Sequence, residues 1–228
     1  MFTPYDWQEG IGHRAQYIQG KLAQGSPVLA VSLEAGILVF TYRRQARKIY
    51  EIYDRLIFAG IGQQSDVEAV RVAALEFASK EGFNRSEEDV TIQRVATAMS
   101  GPLKKAFSDF SNSPVVARSL FGEVGPTVAE DLYYVLDYDG DYTTSRNHAI
   151  VSGSSDTAAA DLSKVADLQN SSVDDAFEAL KEIWLTFADP QNPDAAEEMR
   201  KDLTAEAVLL ERSDARDNRF RLLTPEDF

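Results

Sequence analysis

The sequence predicts an α+β protein in which two β-sheets pack face to face and helices lie on their outer sides. Three observations predict it. The 228 residues suit one large domain. Helical and strand patterns alternate in blocks: helix, strands, two helices, strands, two helices, two strands. The apolar runs, such as Gly36 to Phe40, are strand-sized.

The elements follow in order. Residues 8–23 read as a helix, because Ile11, Ala15, Ile18 and Leu22 fall on one face, with Gly20 weakening it and Gly25 ending it. Strands Val28–Leu33 and Gly36–Thr41 form a hairpin across Glu34-Ala35, and Ile49–Gly60 supplies one or two more. Ser65-Asp66-Val67-Glu68 has the form of a capping box. The helix it opens buries Val67, Val70, Ala74 and Phe77 and stops at Gly82. Ser86 is expected to cap a second helix carrying Val90, Val95, Met99, Leu103 and Phe110, kinked or broken at Gly101-Pro102. Strands return at Val115–Phe121, Leu132–Asp137, Tyr142–Ser145 and His148–Ser152, with Asp139-Gly140 as a hairpin turn. Helices Thr157–Leu168 and Val173–Phe187 follow, then a loop or short helix over 188–202. Strands Ala205–Glu211 and Arg219–Leu223 close the chain.

Composition narrows the function. With no cysteine, disulfides, thiolate metal sites and cysteine nucleophiles are excluded. His13 and His148 are the imidazoles, and neither has a partner at metal-ligand spacing, so no metal and no cofactor is expected. The net charge of -14 disfavours nucleic acid. Against it stands one basic cluster, Arg43, Arg44, Arg47 and Lys48, which a solvated turn would also explain. No apolar run approaches the ~18–20 residues of a membrane helix, and the start has no signal-peptide pattern, so a cytoplasmic protein without a membrane partner is expected. Residues 137–141 have calcium-loop flavour but lack the full twelve-residue pattern.

Several local motifs carry a family resemblance. They are residues 26–40 as a first hairpin, residues 47–55 as the next strand, Phe58-Ala59-Gly60-Ile61-Gly62 before a helix, Asp89-Val90-Thr91, Tyr138-Asp139-Gly140, Glu206-Ala207-Val208-Leu209-Leu210 and Arg219-Phe220-Arg221. Together they resemble the proteasome subunits of the N-terminal-nucleophile hydrolase fold, over about residues 8–224, and most of all the actinobacterial alpha type. The resemblance implies a four-layer αββα sandwich and a single domain over 1–228, whose first 25 residues hold a gate segment (Met1 to about Gln8) and a helix.

Catalytic members of that family use an N-terminal threonine whose own amine is the base, helped by an aspartate and a lysine. Here the nucleophile position falls on Ser26, preceded by 25 residues and followed by Pro27; the aspartate position falls on Tyr42; the lysine position is kept as Lys48. A hydroxyl without a free amine or a matching carboxylate should be inert, so no catalytic residue is expected. Ser26 also reads as a turn serine, and Ser152-Gly153-Ser154-Ser155 as a structural turn beside it. In alpha subunits the lysine at this position receives the C-terminal carboxylate of an ATPase activator, with backbone from the Gly62 position; Lys48 would equally serve as a strand-end lysine paired with Glu51.

The resemblance thus implies a non-catalytic subunit of a threonine-type endopeptidase complex. It would form the outer, heptameric ring of a 20S-like core, gate substrate passage, stack on catalytic beta subunits and dock the tails of a hexameric ATPase. Two other functions stay open: a self-contained hydrolase using Ser26 after self-processing, or Thr41 with some unrecognised partner, and an adaptor without a protease partner.

Overall fold

The computed structural model describes residues 4–153, 159–189, 192–213, 215 and 218–224. Its frame is set by strands with apolar side chains on both faces. β1 (Val28–Leu33) and β2 (Gly36–Arg43) pair antiparallel across the 34–35 turn, Val28 opposite Thr41 and Leu33 opposite Gly36. On one side, Val28, Ala30, Ile37 and Val39 enter the layer between the sheets. On the other, Leu29, Val31, Leu33, Leu38, Phe40 and Tyr42 meet an outer helix layer. Every residue of β1 is therefore buried, which is why the hairpin reads as a continuous apolar run and not as an alternation.

The first sheet has the order β10-β9-β2-β1-β8, adding β8 (His148–Val151), β9 (Thr204–Glu211) and β10 (Phe220–Leu223). The second runs β3-β4-β5-β6-β7, from β3 (Ile49–Tyr53) and β4 (Leu56–Gly62) through β5 (Ala117–Glu123) and β6 (Leu132–Leu136) to β7 (Tyr142–Ser145). Helices α2 (Gln64–Asn84) and α3 (Ile92–Ser108) cover the second sheet. Helices α4 (Ala159–Ala166) and α5 (Val173–Ala188) cover the first, with the short α6 (Pro193–Arg200) packed on α5. The result is the expected αββα sandwich.

Helix α1 (Pro4–Leu22) closes one end of it. Ile18 and Leu22 are fully buried in the inter-sheet core. Arg14 donates to the carbonyls of Ala106 and Asn112 at 3.0 Å each and lies over Phe110. Trp7 meets the same ring edge-on at 5.0 Å. At the opposite end the sheets are clasped by an ion pair. Asp131, fully buried, accepts two bonds from Arg212 at 2.7 and 2.9 Å and one from the Gly125 amide at 2.8 Å. Arg212 also donates to the carbonyls of Gly125 and Leu33.

Several expectations are corrected. Helix α1 is described from Pro4, four residues before the expected start, and runs through Gly20, with Asp6 in its first turn favouring the early start. Most of the expected gate segment is therefore helical, and residues 1–3 lie outside the described part. The capping box does not form: α2 starts at Gln64 with Gln63 before it and no side-chain cap, while Asp66 accepts the Val116 amide at 2.7 Å and ties the helix to β5. Gly82 does not stop α2. It lies inside the helix because the Tyr53 hydroxyl fills the space a side chain would take. Ser86 precedes only a 3-10 turn over 87–89, and α3 starts at Ile92, whose amide donates to Glu123 at 2.9 Å. Gly101 and Pro102 do not break α3; both are exposed, so solvent can take the carbonyl that loses its donor. Of the helix expected over 157–168, residues 157 and 158 lie outside the described part.

Candidate functional site

The α1–β1 link, the end of β2, the start of β3 and the start of β9 meet at the end of the sandwich that α1 covers. They bring Ser26, Thr41, Lys48 and Glu206 together. The Ser26 hydroxyl donates to the Tyr42 carbonyl, with the Thr41 hydroxyl 3.4 Å away. Thr41 donates in turn to the Pro27 carbonyl at 2.6 Å, which also accepts the Trp184 indole at 3.0 Å. Both hydroxyls thus end on main-chain carbonyls, and among the described contacts neither meets a titratable base. Lys48 Nζ donates to the carbonyl of Ser26 itself at 2.7 Å, not to its hydroxyl.

The side chain of Tyr42 is absent from this cluster. It points into the outer helix layer, edge-on to Trp184 at 4.8 Å and to Phe40 at 5.2 Å. His148 cannot act on Ser26 either. It pairs opposite Val31, five residues along β1 from Ser26, or ~16 Å at strand rise, and burial lowers its pKa. The Ser152-Gly153 turn is a packing device. A side chain at Gly153 would run into the Leu22 carbonyl, and Ser152 presents its own carbonyl to Arg118 at 2.8 Å; Ser154 and Ser155 lie outside the described part.

Lys48 is held from behind by Glu206, which the sequence reading passed over. This carboxylate is buried, accepts the Lys48 amide at 3.0 Å and the Ile49 amide at 3.4 Å, and lies 3.3 Å from Arg43 Nε without aligning as a hydrogen bond. Burial raises its pKa, opposed by the two amides and by Arg43 and Arg47. Burial pushes the Lys48 ammonium down to about 8, opposed by Glu206. A carboxylate two residues before the apolar Val208-Leu209-Leu210 run and in phase with Val208 was the available signal.

The basic cluster divides. Arg43 turns inward, its guanidinium also donating to the Gln45 carbonyl at 2.7 Å, whereas Arg44 and Arg47 are exposed. Gly62 ends β4 at the same end as Lys48: Ile49 pairs with Ala59, and Lys48 O accepts the Gly60 amide at 3.4 Å. Its φ of +128° and the Val116 carbonyl 2.1 Å from a hypothetical Cβ make glycine the fitting residue there, and its backbone is exposed. Residues 137–141 form the expected hairpin turn, with Gly140 at φ +86° and Asp137 bound by Arg118 at 2.7 and 3.1 Å. They border an open cleft of about 750 Å³ that is also lined by Arg118, Ile150 and Ser152.

This architecture agrees with comparisons to known proteins. A sequence profile for the family described as proteasome subunit matches residues 21–193. The proteasome subunit alpha of Jonesia denitrificans is 32% identical, over 94% of this chain and 90% of that protein. Those of Nocardioides sp. and Frankia alni are 28% and 27% identical, over 93% and 99% of this chain and 81% and 95% of theirs. The chain belongs to the proteasome subunit family. Within that family it aligns with alpha-type subunits along nearly its whole length.

Proposed function

We propose that this chain is the non-catalytic alpha-type subunit of a 20S-like proteasome core. It joins copies of itself in an outer, heptameric ring and stacks on catalytic beta subunits. Its first residues gate substrate passage, and Lys48 with the Gly62 backbone receives the C-terminal tails of a hexameric ATPase. The whole chain acts as one domain. The setting is the cytoplasm; no described helix is long and apolar enough to cross a membrane.

The observation that carries this reading is the state of Ser26. Its hydroxyl is spent on the Tyr42 carbonyl, and the helix before it is rooted in the core through Ile18 and Leu22. Shedding residues 1–25 would expose that core, which supports reading α1 as a retained helix and not as a disposable leader. The contrary reading, a hydrolase using Ser26, requires that cleavage. Mass spectrometry of the purified 25.3 kDa chain should find no species starting at Ser26. In a particle assembled with its beta partner, Ser26→Ala should leave peptide hydrolysis unchanged. A free Ser26 amine, or collapse of hydrolysis with assembly intact, would overturn the reading.

The gate is tested separately. Deleting residues 1–7 removes the Trp7 contact but keeps the Arg14, Ile18 and Leu22 anchors. Assembly should persist and basal peptide hydrolysis of the particle should rise. An unchanged basal rate would remove the gate role.

A further inference from the structure

The alternation along β9 sends Ala207 and Leu209 to the outer helix layer and Val208 and Leu210 to the space between the sheets. Glu206 is in phase with Val208, so its carboxylate enters the inter-sheet layer near the edge of the apolar core. A carboxylate is placed there at a cost unless it is paired and hydrogen-bonded. Its partners are two consecutive amides, those of Lys48 and Ile49, and the Arg43 guanidinium. Those amides open β3, which belongs to the second sheet, while Glu206 belongs to the first. The carboxylate thus fixes where the chain crosses between sheets, and with it the point from which the Lys48 side chain departs.

We propose that Glu206 is a positioning residue for the docking site: it clamps the Lys48–Ile49 backbone and supplies the counter-charge that keeps the Lys48 ammonium available to a chain-terminal carboxylate. This rests on the docking role given to Lys48 above. Lys48 meets the Ser26 carbonyl at its ammonium and the charge of Glu206 from β9, and Glu206 in turn meets Arg43 from β2 and Arg47 from the loop before β3. Among them Glu206 contributes the negative charge. Burial alone drives the ammonium toward its neutral form, and Glu206 opposes that. A docked tail needs the ammonium, so docking should weaken as pH rises through about 8. Without the Glu206 charge the same loss should occur at lower pH.

The test uses the full chain and an acidic peptide with a free C-terminal carboxylate, against the same peptide amidated, by fluorescence anisotropy from about pH 6 to about pH 9. Wild type should prefer the free carboxylate, with a midpoint of loss near 8. In Glu206→Gln the midpoint should move to lower pH, with affinity lost above it and recovered in acid. A merely structural clamp would weaken binding at every pH and leave the midpoint in place; that result overturns the proposal. Should Glu206→Gln fail to fold, Glu206→Asp decides, because its shorter carboxylate withdraws from the Lys48 amide and should shift the midpoint the same way. If wild type does not distinguish the two peptides, or Lys48→Ala binds as wild type does, the docking role itself fails. If docking holds and the midpoint stays fixed, only the Glu206 role falls.

Discussion

Lys48→Ala is expected to abolish activator-stimulated protein degradation in the assembled particle while leaving assembly and small-peptide hydrolysis close to wild type. A charge-assisted bond from an ammonium to a tail carboxylate is worth about 1.5–3 kcal/mol. Several tails bind one ring together, so the loss at each site compounds through effective concentration. Within the subunit the substitution removes one bond, from Nζ to the Ser26 carbonyl, a cost of about 1 kcal/mol. Function should therefore fall far more than stability. Lys48→Arg should be intermediate, because a longer planar fork does not reproduce a compact ammonium. Stimulated degradation at wild-type levels in Lys48→Ala would reduce the residue to a strand-end lysine, bonded to Ser26 and not to Glu51 as the sequence implied.

For folding, the largest single effect should come from Asp131→Ala. The carboxylate is fully buried, and its removal leaves the nearly buried Arg212 guanidinium without its counter-charge and the Gly125 amide without its acceptor. Breaking such a pair from one side costs about 3–5 kcal/mol, a large part of the 5–15 kcal/mol typical of a domain. Asp131→Asn should also be destabilising, since a neutral amide cannot replace the bidentate acceptor. Denaturant unfolding of both variants measures it. A shift under about 1 kcal/mol for Asp131→Ala would show that the sheets are held at this end by apolar packing alone.

Much of the sandwich was legible because its inner strands, such as β1, have both faces covered. β1 and β7 have the bounds the sequence implied, and α5 starts at the expected Val173 behind a Ser172 cap that accepts the Asp175 amide. What misled were local stop signals whose meaning depends on tertiary surroundings. Gly82 is a stop where nothing packs over it and a fitted gap where Tyr53 does. Pro102 ends a helix in a dry interior and is tolerated on a wet face. Ser65 had the capping pattern, but Asp66 was already committed to β5, fifty residues away. At the site, Ser26 and Lys48 were found by position. Their bonds to carbonyls were not foreseeable, since a residue type does not say which way its proton points. Glu206 escaped because its partners lie 158 and 157 residues away in the chain.

The direction taken by Tyr42 has a consequence for any attempt to build the family's catalytic constellation around Ser26. On the resemblance, this position corresponds to the aspartate of the family's catalytic members; here its ring is part of the packing between the first sheet and α5, against Trp184. An aspartate placed there would enter that apolar layer, leaving a ring-sized void and an unpaired charge. The Trp184 indole shares its carbonyl acceptor with Thr41, beside Ser26, so repacking one disturbs the other. Each step back toward a nucleophile would weaken the fold before it improved reactivity. On the proposed non-catalytic role, structural specialisation would work as a ratchet, with the stability of the subunit itself opposing a return to chemistry.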